Sequence, residues 1–143
     1  LPAVTFITAS IISFSTGSSW ATMSILVPVT VPMSIHLLGG EGNQVVQDPI
    51  FLSSFAGVLS GSVFGDHCSP ISDTTVLSST ASGSDHIDHV RTQLPYAVIS
   101  GVVALLAGYI FTGLGITLIV SLSVGLVLMI GVLKIFGKPI LHE

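Results

Sequence analysis

One stretch of this sequence restricts the fold more than any other: residues 94–133 contain no charged side chain. A helix of about 20 apolar residues crosses the roughly 30 Å of hydrocarbon in a bilayer, so this stretch is long enough for two crossings. The turn between them is expected at residues 112–115, which include two glycines. Only 7% of the chain is charged and 50% is hydrophobic, which excludes a soluble globular domain. We therefore predict an all-α polytopic membrane protein.

The few charged residues divide the rest of the chain. Three Lys and Arg residues are too few for the basic surface that a nucleic-acid partner requires. Arg91, Lys134 and Lys138 fall on one side of the bilayer if 94–133 crosses twice, and the positive-inside rule assigns that side to the cytoplasm. The expected segments are a re-entrant hairpin or two short spans at 1–38, a broken helix at 50–82, a cytoplasmic loop at 83–93, two transmembrane helices at 94–133 and a cytoplasmic tail at 134–143. The apolar start without an initiator Met leads us to expect a longer protein whose missing part lies upstream.

Segment 50–82 is too interrupted for one regular helix. Its apolar part, residues 50–65, would extend about 24 Å as a helix, which is short of a full crossing. Polar residues follow at 66–75, and Pro70 removes a backbone donor among them, so we predict two half-helices around an unwound centre. Ser69 and Pro70 are predicted as the N-cap and first residue of the second half. Small residues recur at every fourth position of the first half and predict close packing on a neighbouring helix: Ser53, Gly57, Gly61 and Gly65.

A second polar interruption lies at residues 13–19, a cluster of Ser, Thr and Gly inside an apolar run. Only 12 residues precede it, which favours a re-entrant hairpin with its tip at 15–19 over a full span. Irregular backbone at membrane depth is stable only where protein buries it or where it lines an aqueous cavity. Two ordinary spans that meet at a polar turn remain the alternative.

Two carboxylates, Asp66 and Asp73, fall at the predicted helix break. A charge in the hydrocarbon costs at least roughly 3 kcal/mol, so acids at this depth indicate function, and no Lys or Arg in the chain is placed to neutralise them. The neighbouring hydroxyls and the backbone carbonyls freed by the break are the oxygen ligands that a hard cation prefers. Burial without a cation favours the protonated acid, whereas a bound cation favours the ionised acid. One group can therefore exchange Na⁺ for H⁺.

Other chemistry is less well supported by the sequence. His67 could carry protons, or it could be a structural hydrogen-bonding group. A zinc site at Cys68 would have poor tetrahedral geometry, and residues 85–89 are interpreted as a solvated loop in preference to a divalent-metal or pH-sensing loop. The Gly-x-Gly-Asp motif of intramembrane aspartyl proteases fails because Val63 occupies its first glycine position. No enzyme activity and no cofactor are predicted, and a membrane-embedded enzyme stays a weak alternative.

Two runs carry a resemblance to a known family, residues 63–79 (VFGDHCSPISDTTVLSS) and 84–96 (SDHIDHVRTQLPY). Together they resemble the NhaC-type sodium/proton antiporter family. Residues 15–20 (STGSSW) are similar to that family's Thr-Gly-(Ser/Thr)-Ser-Trp segment. The resemblance covers most of residues 5–100, and the last forty residues resemble the family only in hydropathy.

The resemblance implies a multi-pass carrier of the bacterial inner membrane that exchanges Na⁺ for H⁺ and consists of two inverted repeats. This chain would hold most of the second repeat and would require the missing N-terminal half; a homodimer is also compatible with it. Relatives that couple Na⁺ and H⁺ to organic acids such as malate and lactate are the alternative. The implied Na⁺ ligands are Asp66, Ser69, Asp73 and Thr74, with Thr16, Ser18 and Ser19 at the hairpin tip, and the implied proton-coupling residues are Asp66, Asp73 and His67.

Overall fold

The computed structural model describes residues 1–39 and 42–137, and in these residues every regular element is helical. The elements are α1 (Pro2–Thr16), α2 (Ser19–Leu38), α3 (Gly42–Val45), α4 (Pro49–Cys68), α5 (Asp73–Ala81), α6 (His86–Val103), a π-helical stretch (Ala104–Ile110), α7 (Phe111–Gly113) and α8 (Leu118–Phe136). Lys138, one of the three cations used to predict the orientation, lies outside the described residues.

Among the described residues, three helical stretches are long and apolar enough to cross a bilayer, namely Ser19–Leu38, His86–Gly113 and Leu118–Ile135. Helix α1 is apolar but shorter. The prediction of an all-helical membrane protein is therefore confirmed at this level.

Helix α6 begins earlier than the sequence suggested. The side chain of Asp85 accepts hydrogen bonds from the backbone nitrogens of Ile87 (2.9 Å) and Asp88 (3.1 Å), so it caps a helix that begins at His86. Most of 83–93, predicted as a loop, is consequently the first two turns of α6. The sequence interpretation missed this start because it took the polar residues for solvated loop and did not recognise Asp85 as an N-cap.

Helices α1 and α4 pack closely and run parallel. Thr5 Oγ1 donates to the carbonyl of Ser54 (3.1 Å) and Ser13 Oγ donates to the carbonyl of Ser62 (2.5 Å), so residue numbers rise together along both helices. The glycines of α4 face this interface, because a Cβ at Gly57 would lie 2.9 Å from the carbonyl oxygen of Pro2. The predicted packing role of the glycine stripe is confirmed.

The parallel arrangement brings two chain interruptions to the same level. Helix α1 ends at Thr16, Gly17 adopts a left-handed conformation (φ 66°), and Ser18 caps α2 by accepting from the nitrogen of Ala21. Helix α4 ends at Cys68 and α5 begins at Asp73. A Cβ at Gly17 would lie 3.0 Å from the carbonyl oxygen of Ile71, so the two connections are in contact.

The predicted cap of α5 is wrong. Ser72, and not Ser69, is the N-cap, because its hydroxyl accepts from the backbone nitrogen of Thr74 (3.2 Å). Ser69 instead closes the end of α4 by donating its backbone N–H to the carbonyl of Asp66 (3.1 Å). Asp66 and His67 accordingly belong to the last turn of α4 and not to the unwound connection, which comprises residues 69–72.

Candidate functional site

The carboxylate of Asp66 lies at the meeting point of the two connections and is only 8% exposed. Ser72 Oγ donates to its Oδ1 (2.7 Å), while Ser19 Oγ and Thr74 Oγ1 donate to its Oδ2 (3.3 Å each). Ser72 Oγ and Thr74 Oγ1 are also 2.7 Å apart, so the single hydroxyl hydrogen of Thr74 can be donated either to Ser72 or to the carboxylate. The site therefore combines one buried acid with three hydroxyls.

Each hydroxyl is positioned by a helix start. Ser19 is the first residue of α2, directly after the cap Ser18. Ser72 caps α5, and Thr74 stands in the first turn of that helix. Asp66 lies one residue after Gly65, whose lack of a side chain lets α1 approach this end of α4. Ser19, which is 47 residues from Asp66 in the sequence, thus joins three side chains of the α4–α5 region because helix ends meet there.

The chemistry of this group suits a small cation or a proton. A hydroxyl can donate one hydrogen bond and can also accept through its lone pairs, so the same three groups can stabilise the carboxylate or turn an oxygen toward a cation. Carboxylate and hydroxyl oxygens are hard ligands. The carboxylate of Asp66 can therefore be stabilised by the hydroxyls when no ion is bound, and by the cation or the proton when one is bound.

The other residues predicted around the break are placed differently. Asp73 is the first residue of α5 and is exposed. His67 is exposed at its side chain, and its backbone carbonyl accepts from Gln93 Nε2 (2.6 Å). Ser69 is fully buried, and its hydroxyl makes only a long contact of 3.4 Å with the nitrogen of Ile71. None of these three side chains donates a hydrogen bond to Asp66.

The hairpin-tip residues also divide into two groups. Ser19 reaches Asp66, as described above. Thr16 is exposed, and its hydroxyl donates back to the carbonyl of Ile12 (2.9 Å) within α1. Ser18 uses its hydroxyl to cap α2. Of the predicted tip residues, Ser19 alone is within hydrogen-bonding distance of the buried acid.

Sequence reasoning underrated Ser72, which makes the shortest hydrogen bond to Asp66. A signal for it was present: a serine directly before Asp-Thr-Thr is a typical N-cap, and a cap hydroxyl stands at the end of a helix where the chain changes direction. Within residues 1–39 and 42–137, no group of three or more His, Cys, Asp or Glu side chains is placed to hold a metal ion. The zinc and divalent-metal interpretations thus gain no support there.

A comparison with protein families decides the relationship. The model of the family described as "Na+/H+ antiporter family" matches residues 1–114. This chain belongs to the Na⁺/H⁺ antiporter family. The family membership that residues 63–79 and 84–96 indicated is confirmed. The members of this family are secondary transporters and not enzymes.

Several curated proteins are similar to this antiporter-family chain. It is 39% identical over 137 residues to an uncharacterized protein of Haemophilus influenzae, and the aligned region covers 94% of this chain and 24% of that protein. It is 37% identical over 118 residues to a malate-2H⁺/Na⁺-lactate antiporter of Bacillus subtilis, covering 80% of the chain and 23% of the relative. It is 32% identical over 108 residues to the Na⁺/H⁺ antiporter NhaC of Alkalihalophilus pseudofirmus, and this alignment covers 73% of the chain and 21% of the relative.

The chain thus spans about a quarter of the length of these relatives. No solved structure matches it. The antiporter family and the candidate spans make it part of a multi-pass membrane protein.

Proposed function

We propose that this chain forms part of a sodium/proton antiporter in which Na⁺ and H⁺ compete for the carboxylate of Asp66. The observation that carries the proposal is the burial of Asp66 beside the hydroxyls of Ser19, Ser72 and Thr74. A buried charge in a membrane protein is costly unless a cation or a proton neutralises it. In this proposal the two ions occupy the site in turn, and the exchange of one for the other couples their movements.

The hydroxyls around Asp66 allow Na⁺ and H⁺ to compete for its carboxylate. When the acid is ionised and no cation is bound, Ser19 and Ser72 donate to it, and Thr74 can add a third hydrogen bond in place of its bond to Ser72. When Na⁺ binds, the hydroxyls rotate so that their oxygen lone pairs face the ion. When a proton binds in place of Na⁺, the neutral carboxyl group remains hydrogen-bonded. Asp73, exposed at the start of α5, would serve as the second acid facing a part of the transporter outside this chain.

The architecture in the membrane is also proposed. We infer that α4 and α5 form one discontinuous transmembrane helix and that α1 and α2 form the facing re-entrant hairpin, as in carriers that bind ions where the ends of half-helices meet. The chain would then be the second of two inverted repeats, in the inner membrane of a bacterium, with Arg91 and Lys134 on the cytoplasmic side.

A second candidate is sodium- and proton-coupled exchange of organic acids. It is favoured by the similarity to the malate-2H⁺/Na⁺-lactate antiporter of Bacillus subtilis. In that case the hydroxyls at the start of α2 would bind a substrate carboxylate, since the positive end of a helix dipole attracts anions. The two functions share the cation site and differ in whether flux requires an organic acid.

The test uses vesicles that contain the complete transporter polypeptide. A sodium gradient is imposed and internal pH is followed with and without malate or lactate. Proton movement driven by sodium alone supports antiport, a strict requirement for the organic acid supports the second candidate, and the absence of flux under both conditions refutes both.

The residue assignment is tested by Asp66→Asn and Asp73→Asn, which keep the side-chain shape and remove the titrating group. Each is expected to abolish sodium-driven proton flux while membrane insertion is unchanged. Asp88→Asn is the matched control, because Asp88 is exposed on α6 and its side chain makes no contact with the site. Normal flux in both variants would show that the site is elsewhere.

A further inference from the structure

We propose that helix α6 positions the ion site through two side chains: Gln93 holds the backbone at the end of α4, and His86 holds the backbone of the α4–α5 connection. The proposal rests on the proposed function, because it assigns a role in shaping the Asp66 site. It adds two residues that do not touch the carboxylate. We call the pair of hydrogen bonds that they make the α6 clamp.

The first half of the clamp acts on the end of α4. The last carbonyls of a helix have no partner within the helix and require one elsewhere. The carbonyl of Asp66 receives the backbone N–H of Ser69 (3.1 Å), and the carbonyl of His67 receives Nε2 of Gln93 (2.6 Å). Gln93 therefore fixes the backbone one residue beyond the acid.

The second half acts on the connection itself. Nε2 of His86 lies 2.7 Å from the carbonyl oxygen of Pro70, and since a carbonyl only accepts, this nitrogen carries the hydrogen. Ser79 Oγ lies 3.1 Å from the other ring nitrogen, Nδ1, and holds the ring in orientation. Pro70 has no backbone N–H, so the connection has fewer internal hydrogen bonds and depends more on this external one.

The spacing on α6 explains why one helix can make both bonds. His86 and Gln93 are seven residues apart, which is about two turns, so their side chains lie on the same face at a separation of about 10.5 Å along the axis. One rigid helix thus sets the position of the His67 carbonyl relative to the Pro70 carbonyl. Asp66 comes directly before His67, and Ser72 comes two residues after Pro70. The clamp therefore sets the 2.7 Å contact between the Asp66 carboxylate and the Ser72 hydroxyl.

The clamp also changes which atoms are available to a cation. The carbonyls freed by a helix break are candidate ion ligands, yet those of His67 and Pro70 already accept hydrogen bonds from α6. Each of these carbonyl oxygens has one lone pair left, so the side-chain oxygens of Asp66, Ser72 and Thr74 offer more positions to a cation. By binding the two carbonyls, α6 fixes the backbone that carries those side chains and so controls their geometry.

The experiment compares Gln93→Leu, His86→Leu and His86→Gln in the complete transporter, with Thr92→Val as the control. Thr92 lies next to Gln93 and bonds only to carbonyls of its own helix, Asp88 and His89. Losing one hydrogen bond of this kind is expected to raise the KM for Na⁺ by up to about tenfold with a smaller change in maximal rate. His86→Gln retains an N–H donor and should restore much of what His86→Leu loses.

A second readout does not depend on transport. Cys68, the single cysteine of this chain, lies between His67 and Ser69 and is buried. In a transporter that keeps this one cysteine, Gln93→Leu should accelerate its alkylation by a membrane-permeant maleimide severalfold, whereas Thr92→Val should not.

The outcomes separate the two proposals. Unchanged alkylation in Gln93→Leu and His86→Leu overturns the clamp, whatever the flux. Faster alkylation with an unchanged KM for Na⁺ overturns the positioning role. If the unaltered transporter shows no sodium-driven proton flux, the proposed function fails, while the alkylation rates still report on the clamp itself.

Discussion

Replacing Gly65 by alanine should force α1 away from α4 beside the proposed ion site. A Cβ at this position would lie 2.8 Å from the backbone nitrogen of Phe14 and 2.9 Å from Ser13 Cβ, and the carbonyl oxygen of Ser10 lies closer still. Ordinary contacts begin at 3.4 Å, and the contact with the Ser10 carbonyl oxygen is shorter than this by about 1.2 Å, so α1 must withdraw by about that distance. Backbone atoms cannot rotate aside as a flexible side chain can, and the strain therefore falls on the whole interface.

The expected cost follows from these contacts. Inserting one methyl group into a close-packed interior costs about 1–3 kcal/mol. Withdrawal of α1 also stretches the hydrogen bond from Ser13 to the carbonyl of Ser62, and such interhelical bonds in membranes contribute about 0.6 kcal/mol. We expect Gly65→Ala to lower the free energy of unfolding by about 1.6–3.6 kcal/mol, the sum of these contributions.

The measurement is unfolding of the purified transporter in mixed micelles by increasing SDS, followed by circular dichroism. The matched control is Gly131→Ala in α8, where a Cβ would meet no heavy atom within 4 Å. Alanine favours helix over glycine, so this control should be as stable as the unaltered protein or slightly more stable. Equal stability of the two variants would refute the argument that glycine is required for the α1–α4 contact.

Two further predictions use the same unfolding measurement. Gly17→Ala should destabilise the protein more than Gly39→Ala, because both have a positive φ but only the Cβ at Gly17 would meet Ile71, at 3.0 Å; equal effects would show that the contact between the two connections is unimportant. Asp48→Ala should cost about 1 kcal/mol, because it removes the cap that accepts from the nitrogen of Ile50 (2.7 Å), and Asp48→Ser should retain most of that stability. A stable Asp48→Ala variant with an unstable Asp48→Ser variant would contradict the capping explanation.

Much of the fold could be predicted from the order of residues. Hydropathy predicted the uncharged stretch 94–133 as two crossings, and the structure has helices long enough for them at His86–Gly113 and Leu118–Ile135. The glycine stripe predicted a close helix contact, and α1 makes it. These features are predictable because the length of an apolar stretch and the spacing of small residues can both be read directly from a short segment of the sequence.

Helix boundaries were less predictable where several residues could serve as a cap. Ser69 and Ser72 both have a hydroxyl suited to an N-cap, and the two local signals compete: a proline follows Ser69, and Asp-Thr-Thr follows Ser72. In the folded chain, Gly17 packs on Ile71 from one side and His86 binds the carbonyl of Pro70 from the other. These distant contacts accompany an extended connection and leave Ser72 as the cap.

The sequence by itself determined that this chain is helical and lies in a membrane, and it singled out Asp66 and Asp73 together, because the cost of an acid at membrane depth follows from its place in the sequence. Only the tertiary structure decided which groups surround Asp66. Ser19 lies 47 residues away along the chain, and it reaches Asp66 because α1 and α4 pack in parallel and end at the same level. The relative placement of two helix ends depends on packing between distant segments, so the sequence suggested it only through the family resemblance and not through a local pattern.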